Sequence, residues 1–397
     1  MTMLRDAARA FMPYPDAPVA HAPRGPLAGL TFAVKDLFDV AGYPTSGGQP
    51  FVLAMSGIKT TTAPTVQRLL DVGARFVGKT ITDELAFSMN GQNVHFGSPV
   101  NGAAPDRISG GSSSGSASAV SNGLCDFALG SDTGGSVRAP ASHCALVGLR
   151  PTHGRISLER VLDLSPSFDT CGWFARDVAT FARVADSLLG ADVAPLPADR
   201  VRLLAPSDVW ALLAAEPLEA LRAPRARVED ALGPAAPVEV VLDDFETMFW
   251  SFRFLQGREA WRTDGALIER FAPPLGAGIK ERFAWSREVT DAQVAAAAAF
   301  RERFRARMTQ LLGNDGVLLM PTMPDVAPLV TADDSALEDY RARSTQMLCI
   351  AGLAGCPQLT LPLGSRLGAP LGISLLGPAG SDRSLVRLAE RIAGASR

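Results

Sequence analysis

The sequence predicts an α/β sandwich with a mixed sheet. Three observations carry this. Short apolar runs suited to strands recur between segments of helical spacing along most of the chain. The 397 residues are 47% hydrophobic and 20% charged, an ordinary globular composition. No internal repeat or low-complexity tract interrupts the pattern, and no run of 18 apolar residues suggests a transmembrane helix.

Taken in order, residues 4–11 read as a short helix. Residues 26–40 read as a turn and a strand ending at Lys35-Asp36, and a glycine-rich loop follows over 42–50. Thr62 is placed to cap a helix with Pro64 in its first turn and Val66, Leu69 and Leu70 on its buried face. A strand is expected at 74–77, a helical turn at 82–87 and a loop over 90–105. Residues 114–122 are small throughout, which suits a helix packed closely on neighbouring backbone. Strands are expected at 126–130 and 146–150. Residues 177–189 form an amphipathic helix, with Val178, Phe181, Val184 and Leu188 on one side.

Ala, Pro, Leu and charges dominate residues 191–245, where a strand at 201–204, a helix over 209–221 and a strand at 238–242 are expected. An aromatic cluster follows: Phe245, Phe249, Trp250, Phe252, Phe254 and Trp261. Such a cluster reads as core more readily than as pocket. Residues 290–312 form a helix capped by Thr290 or Asp291, residues 316–321 a buried strand, and residues 337–355 a helix. Residues 358–363 and 371–376 pair as a hairpin, and Ser381 caps a last helix to Ala393.

The net charge of −3 offers no electrostatic case for nucleic acid. The N-terminal residues lack a continuous apolar stretch and cleavage site, so a cytoplasmic location is expected. Five cysteines, with no C-x-x-C pair, read as free thiols rather than disulfides or a metal site. No cofactor is expected, and a homodimer is left open.

Chemistry concentrates in residues 108–150. Two Gly-Gly-Ser turns occur there, Gly110-Gly111-Ser112 and Gly134-Gly135-Ser136, with their serines 136 − 112 = 24 positions apart. Glycine before serine permits backbone angles that other residues avoid, and such a turn can aim successive N–H groups at one point. None of the four histidines, His21, His95, His143 and His153, lies within these turns, and the G-x-S-x-G elbow is absent. Serine can also be activated by a neutral lysine. Lys35 ends an apolar run, where desolvation would favour its neutral form. Each piece has a plainer reading. A Lys-Asp after an apolar run is commonly a solvated strand end, a Ser/Gly-rich loop a connector, and a Gly-Gly-Ser turn a phosphate cradle, although no Walker lysine follows this one.

Val34-Lys35-Asp36, then Gly-Gly-Ser-Ser-Ser-Gly-Ser, then Gly-Ser-Asp-Thr-Gly-Gly-Ser-Val-Arg, in this order and spacing, resemble the amidase signature family. The likeness runs from Pro26 through about Asp177 and returns at residues 355–377. Residues 169–177 resemble the short branch that includes plant indole-3-acetamide hydrolases. The resemblance implies one domain with a large twisted mixed sheet covered by helices: residues 25–190 as catalytic core, 191–312 as a variable excursion near the substrate, and 315–397 completing the core. It implies a Ser-cisSer-Lys triad in which Ser136 is the nucleophile, Ser112 the bridge and Lys35 the base. It also implies an oxyanion hole from the N–H groups of Thr133, Gly134, Gly135 and Ser136, with Ser113, Asp132 and Arg138 supporting the turns.

The expected activity is hydrolysis of a small primary amide, apolar or arylacetamide-like on its acyl side, through an acyl-enzyme. Two other readings are a non-catalytic binding module of amidase type and an ammonia-supplying amidotransferase subunit. Arg253, Arg258 and Arg262 lie near the aromatic cluster, and one of them turned inward would redirect specificity to an acidic amide.

Overall fold

The computed structural model describes residues 6–395. Its centre is a ten-stranded mixed sheet in the order β2-β1-β3-β5-β4-β9-β10-β8-β6-β7. In the first half of the chain the elements are β1 (Thr31–Lys35), α1 (Pro50–Ser56), α2 (Pro64–Asp71), β2 (Arg75–Thr80), α3 (Ser114–Ser121), β3 (Phe127–Ser131), α4 (Arg138–His143), β4 (Val147–Arg150), β5 (Cys171–Ala175) and α5 (Val178–Leu188). β1 runs parallel to both β2 and β3, whereas β5 is antiparallel to β3 and β4.

The second half supplies β6 (Arg202–Pro206), α6 (Ser207–Trp210), α7 (Ala215–Ala220), α8 (Arg222–Leu232), β7 (Ala236–Val238), α9 (Phe245–Phe271), α10 (Ile279–Arg287) and α11 (Asp291–Leu312). Then come β8 (Gly316–Pro321), α12 (Asp334–Ala354), β9 (Gln358–Arg366), β10 (Ala369–Leu376) and α13 (Asp382–Gly394). β6 lies parallel to β8, and β7 parallel to β6. The segment expected as an excursion therefore extends the sheet edge.

The sandwich follows from strand alternation. Phe32, Val34, Phe127, Leu129 and Trp173 point into one core with Val66 and Leu69 of α2 and Phe181 of α5. Ala33, Ala128 and Phe174 point to the other side, with Ala117 and Val120 of α3 and Ala141 of α4. Small residues on that second face let α3 approach closely, and Ser116 Oγ donates to Leu129 O at 2.8 Å.

Several local expectations are corrected. Residues 1–5 lie outside the described residues; Asp6 to Phe11 form a turn in which Phe11 N donates to Asp6 Oδ2, not a helix. Thr62 does not cap α2; its Oγ1 accepts from Ala41 N, and Ala63 is the N-cap residue. Ser381 is the N-cap residue of α13, but its Oγ donates to Pro378 O and makes no bond to the helix N–H groups. The single helix expected over 209–221 breaks into α6 and α7, because Pro217 lacks an N–H and its ring would collide with the preceding turn. β7 ends at Val238 because Val240 N and Val241 N donate to Asp208 Oδ2 at 2.8 and 2.7 Å, not to a strand. Among the described residues no helix is long and apolar enough to cross a membrane. All five cysteines are free and buried, as expected.

Candidate active site

The site lies at the carboxyl ends of the parallel strands β1 and β3, where open α/β sheets present their crevices. Lys35 is the last residue of β1 and shares a face with Ala33, the face covered by α3. The turn that opens α3 carries Ser112, and the turn between β3 and α4 carries Ser136. Lys35 has no solvent exposure. Its Nζ donates to Ser112 Oγ at 2.7 Å and to Ser131 Oγ at 2.8 Å. The Gly111–Ser112 peptide bond is cis.

Burial pulls the Lys35 ammonium down from its ordinary range to about 7; the Asp83, Asp169 and Asp132 carboxylates oppose the shift without cancelling it. Asp36 does not join this group. It faces away, pairs with Lys79 at 2.6 Å and accepts from Tyr14 and Ser46. The alternation of side chains along β1 thus keeps the adjacent carboxylate off the lysine.

The two serine turns are joined. Ser113 N donates to Ser136 O at 3.3 Å, and Ser113 Oγ both donates to Ser131 O and accepts from Ser131 N. Asp132 organises the second turn. Its Oδ1 accepts from Gly135 N at 2.9 Å and Arg138 Nη2 at 2.8 Å; its Oδ2 accepts from Val137 N, Arg138 N and Arg138 Nε. Burial opposes its charge, yet Arg138, Arg150 and these donors hold the carboxyl well below the usual range. Arg150 Nη1 adds bonds to the carbonyls of Asp132 and Thr133.

This wiring removes one expected oxyanion donor: the Gly135 N–H is committed to Asp132. Among the described residues the N–H groups of Thr133, Gly134 and Ser136 have no such acceptor. Gly135 serves the turn differently. Its φ is +128°, and a Cβ there would lie 2.4 Å from Leu348 Cδ1. Replacing Asp132 by alanine would leave two buried guanidiniums unpaired. We expect a loss of about 3–5 kcal/mol in stability; a urea midpoint displaced by less than the equivalent of about 1 kcal/mol would refute the clamp.

Comparison with known proteins identifies the family. The family model named Amidase matches residues 1–222 and 259–386. The chain belongs to the amidase signature family. Amidase 1 of Arabidopsis thaliana is 38% identical, covering 92% of this chain and 93% of its own. Outer envelope protein 64, chloroplastic, of the same plant is 34% identical over 95% of this chain and 68% of its own length. A solved structure of an amidase superposes with a TM-score of 0.83 at 30% identity, covering 94% of this chain and 85% of that one. The protein is an amide hydrolase.

The cleft of this amidase beside Ser136 is narrow and is lined by Thr133, Gly134, Phe87, Met89, Leu164 and Phe252, among others. Of the aromatic cluster, only Phe252 reaches it. Trp250 and Phe254 stack with each other and with Trp285 on a separate outer groove, and Trp261 lies under Arg287. Arg258 is paired with Asp291, but Arg253 does line the cleft, as does Arg341. His143 is buried against Tyr340 and His153 bonds Pro166 O, so both play structural parts. Sequence reasoning missed Ser131, Asp83, Arg150 and Asp169. Ser131 and Arg150 stood in the motif block and Asp169 in the 169–177 segment without a role being read for them; Asp83 carried no local signal. Asp169 accepts from Thr133 Oγ1 at 2.5 Å and from Leu164 N and Ser165 N, tying the β5 approach to the second turn.

Proposed function

We propose that this amidase cleaves a small primary amide by a Ser-Ser-Lys relay. The observation that carries the reading is the completely buried Lys35 Nζ, 2.7 Å from Ser112 Oγ, in a turn bonded through Ser113 N to the carbonyl of Ser136. Ser136 attacks the carbonyl carbon. Its proton passes to Ser112, which both donates and accepts, and on to neutral Lys35. The N–H groups of Thr133, Gly134 and Ser136 hold the tetrahedral oxyanion, where one donor typically contributes on the order of 3 kcal/mol. The relay run backwards protonates departing ammonia, and water then hydrolyses the acyl-enzyme to acid and free Ser136. Phe87, Met89, Leu164 and Phe252 support an apolar or arylacetamide-like acyl group near the carbonyl. Five free buried thiols are in keeping with a cytoplasmic setting.

A fluorophosphonate should label the protein covalently on the peptide containing Ser136, and prior incubation with a good amide substrate should slow the labelling. Labelling confined to another serine would remove Ser136 from the role. Absence of ammonia release from every primary amide, without a partner protein, would favour the binding-module or amidotransferase reading instead.

A further inference from the structure

The cleft beside Ser136 carries positive charge on its lining. Arg253 of α9 and Arg341 of α12 both line it, one turn from Gln256 and Thr345 on the same helices. Arg341 is buried; its Nη1 bonds Glu338 Oε1 at 2.7 Å, while its Nε has no partner. Arg253 has no hydrogen bond or ion pair among the described residues; its guanidinium lies over the Trp285 ring, 4.8 Å from its centroid, within the field of Glu338 and Arg282. Arg282, bonded to Phe87 O and Glu338, adds a third guanidinium. Three cations therefore share one carboxylate, that of Glu338, whose side chain is 60% exposed and so largely screened by water. Buried guanidiniums are ordinarily paired, and a planar fork with free donors matches a carboxylate. The other lining side chains, Ser88, Thr133, Gln256 and Thr345, are neutral.

We propose that Arg253 and Arg341 bind a carboxylate carried at the far end of the acyl group, so that the amide hydrolysed is a monoamide of a dicarboxylic acid. The apolar residues pack the middle of such a molecule, and the product leaves as a dicarboxylate. The proposal rests on Ser136 being the reacting residue, since that fixes which end of the amide faces the serine turns.

The test is binding by calorimetry to Ser136→Ala protein. Malonamate, succinamate, glutarate monoamide and 4-carboxyphenylacetamide are each compared with a neutral partner: malonamide, succinamide, glutaramide and phenylacetamide. At least one anionic amide should bind on the order of tenfold or more tightly than its partner. That preference should collapse when Arg253→Met or Arg341→Met is added, while Arg253→Lys or Arg341→Lys should retain part of it. Equal affinity in every pair, no binding of any anionic amide, or a preference that survives both methionine substitutions would overturn the proposal. Turnover by the wild-type protein is read separately. Release of ammonia from phenylacetamide without an anionic preference would remove the carboxylate site and leave the serine chemistry standing. Arginine-dependent binding in a protein that hydrolyses no amide would do the reverse.

Discussion

Ser136→Ala is expected to lower kcat by at least about 10,000-fold, with residual rate from the oxyanion donors and binding alone. The fold should be untouched, because the Ser136 side chain holds no part of the turn. That work falls to Asp132, whose carboxylate accepts six N–H bonds from Gly135, Val137, Arg138 and Arg150, Arg138 giving one backbone and two side-chain bonds. Ammonia release followed in parallel with the unfolding midpoint separates the two effects. A variant retaining more than about 1% of the wild-type rate, with its midpoint unchanged, would exclude Ser136 as nucleophile.

Lys35→Ala should cost roughly 1,000-fold in kcat, the order expected for a general base. In the proposed relay the neutral lysine is the competent form, and burial pulls its titration down to about 7. The rate should therefore rise with pH through about 7 and level off above it. Stability carries the same signature. The folded-state value lies below the ordinary lysine value of 10.5, so the unfolded chain binds more protons between the two and stability rises with pH across that window. In Lys35→Ala both the rate limb and this stability slope should vanish. A variant that keeps the acid limb of the rate profile would assign that limb to another group.

The three residues of the proposed relay were legible because their signals are local: two glycine turns 24 residues apart and a lysine closing an apolar strand. What surrounds Lys35 was not. Ser131 lies 96 positions away in the chain, and Asp83 and Asp169 arrive from separate loops. β5 escaped notice because all five of its residues are buried, so it shows no alternation. α9 escaped because its aromatic residues form two stripes, Phe245, Phe249 and Phe252 on one and Trp250, Phe254 and Trp261 on the other, which blurs any single apolar face. The aromatic cluster read as core more readily than as pocket, and most of it does pack away from the cleft, while the neighbouring Arg253 lines it. The extended sheet was hidden because β6 is short and pairs with a strand formed about a hundred residues later, with β7 pairing only with β6.

Phe252, Arg253 and Gln256 come from one helix, and Arg341 and Thr345 from another, while Lys35, Ser112, Ser131 and Ser136 belong to strands and turns of the sheet's other half. Phe252 leans on Gly134, where an added Cβ would come within 2.8 Å of its ring. Selector and reagent thus meet at a contact but are written in different stretches of the gene. Recombination or drift confined to residues 245–271 and 334–354 could exchange one acid side chain for another in the clientele without altering how the bond is broken. The same separation makes these two helices the natural target for a library aimed at new amides, with Gly134 as the position such a library should leave alone.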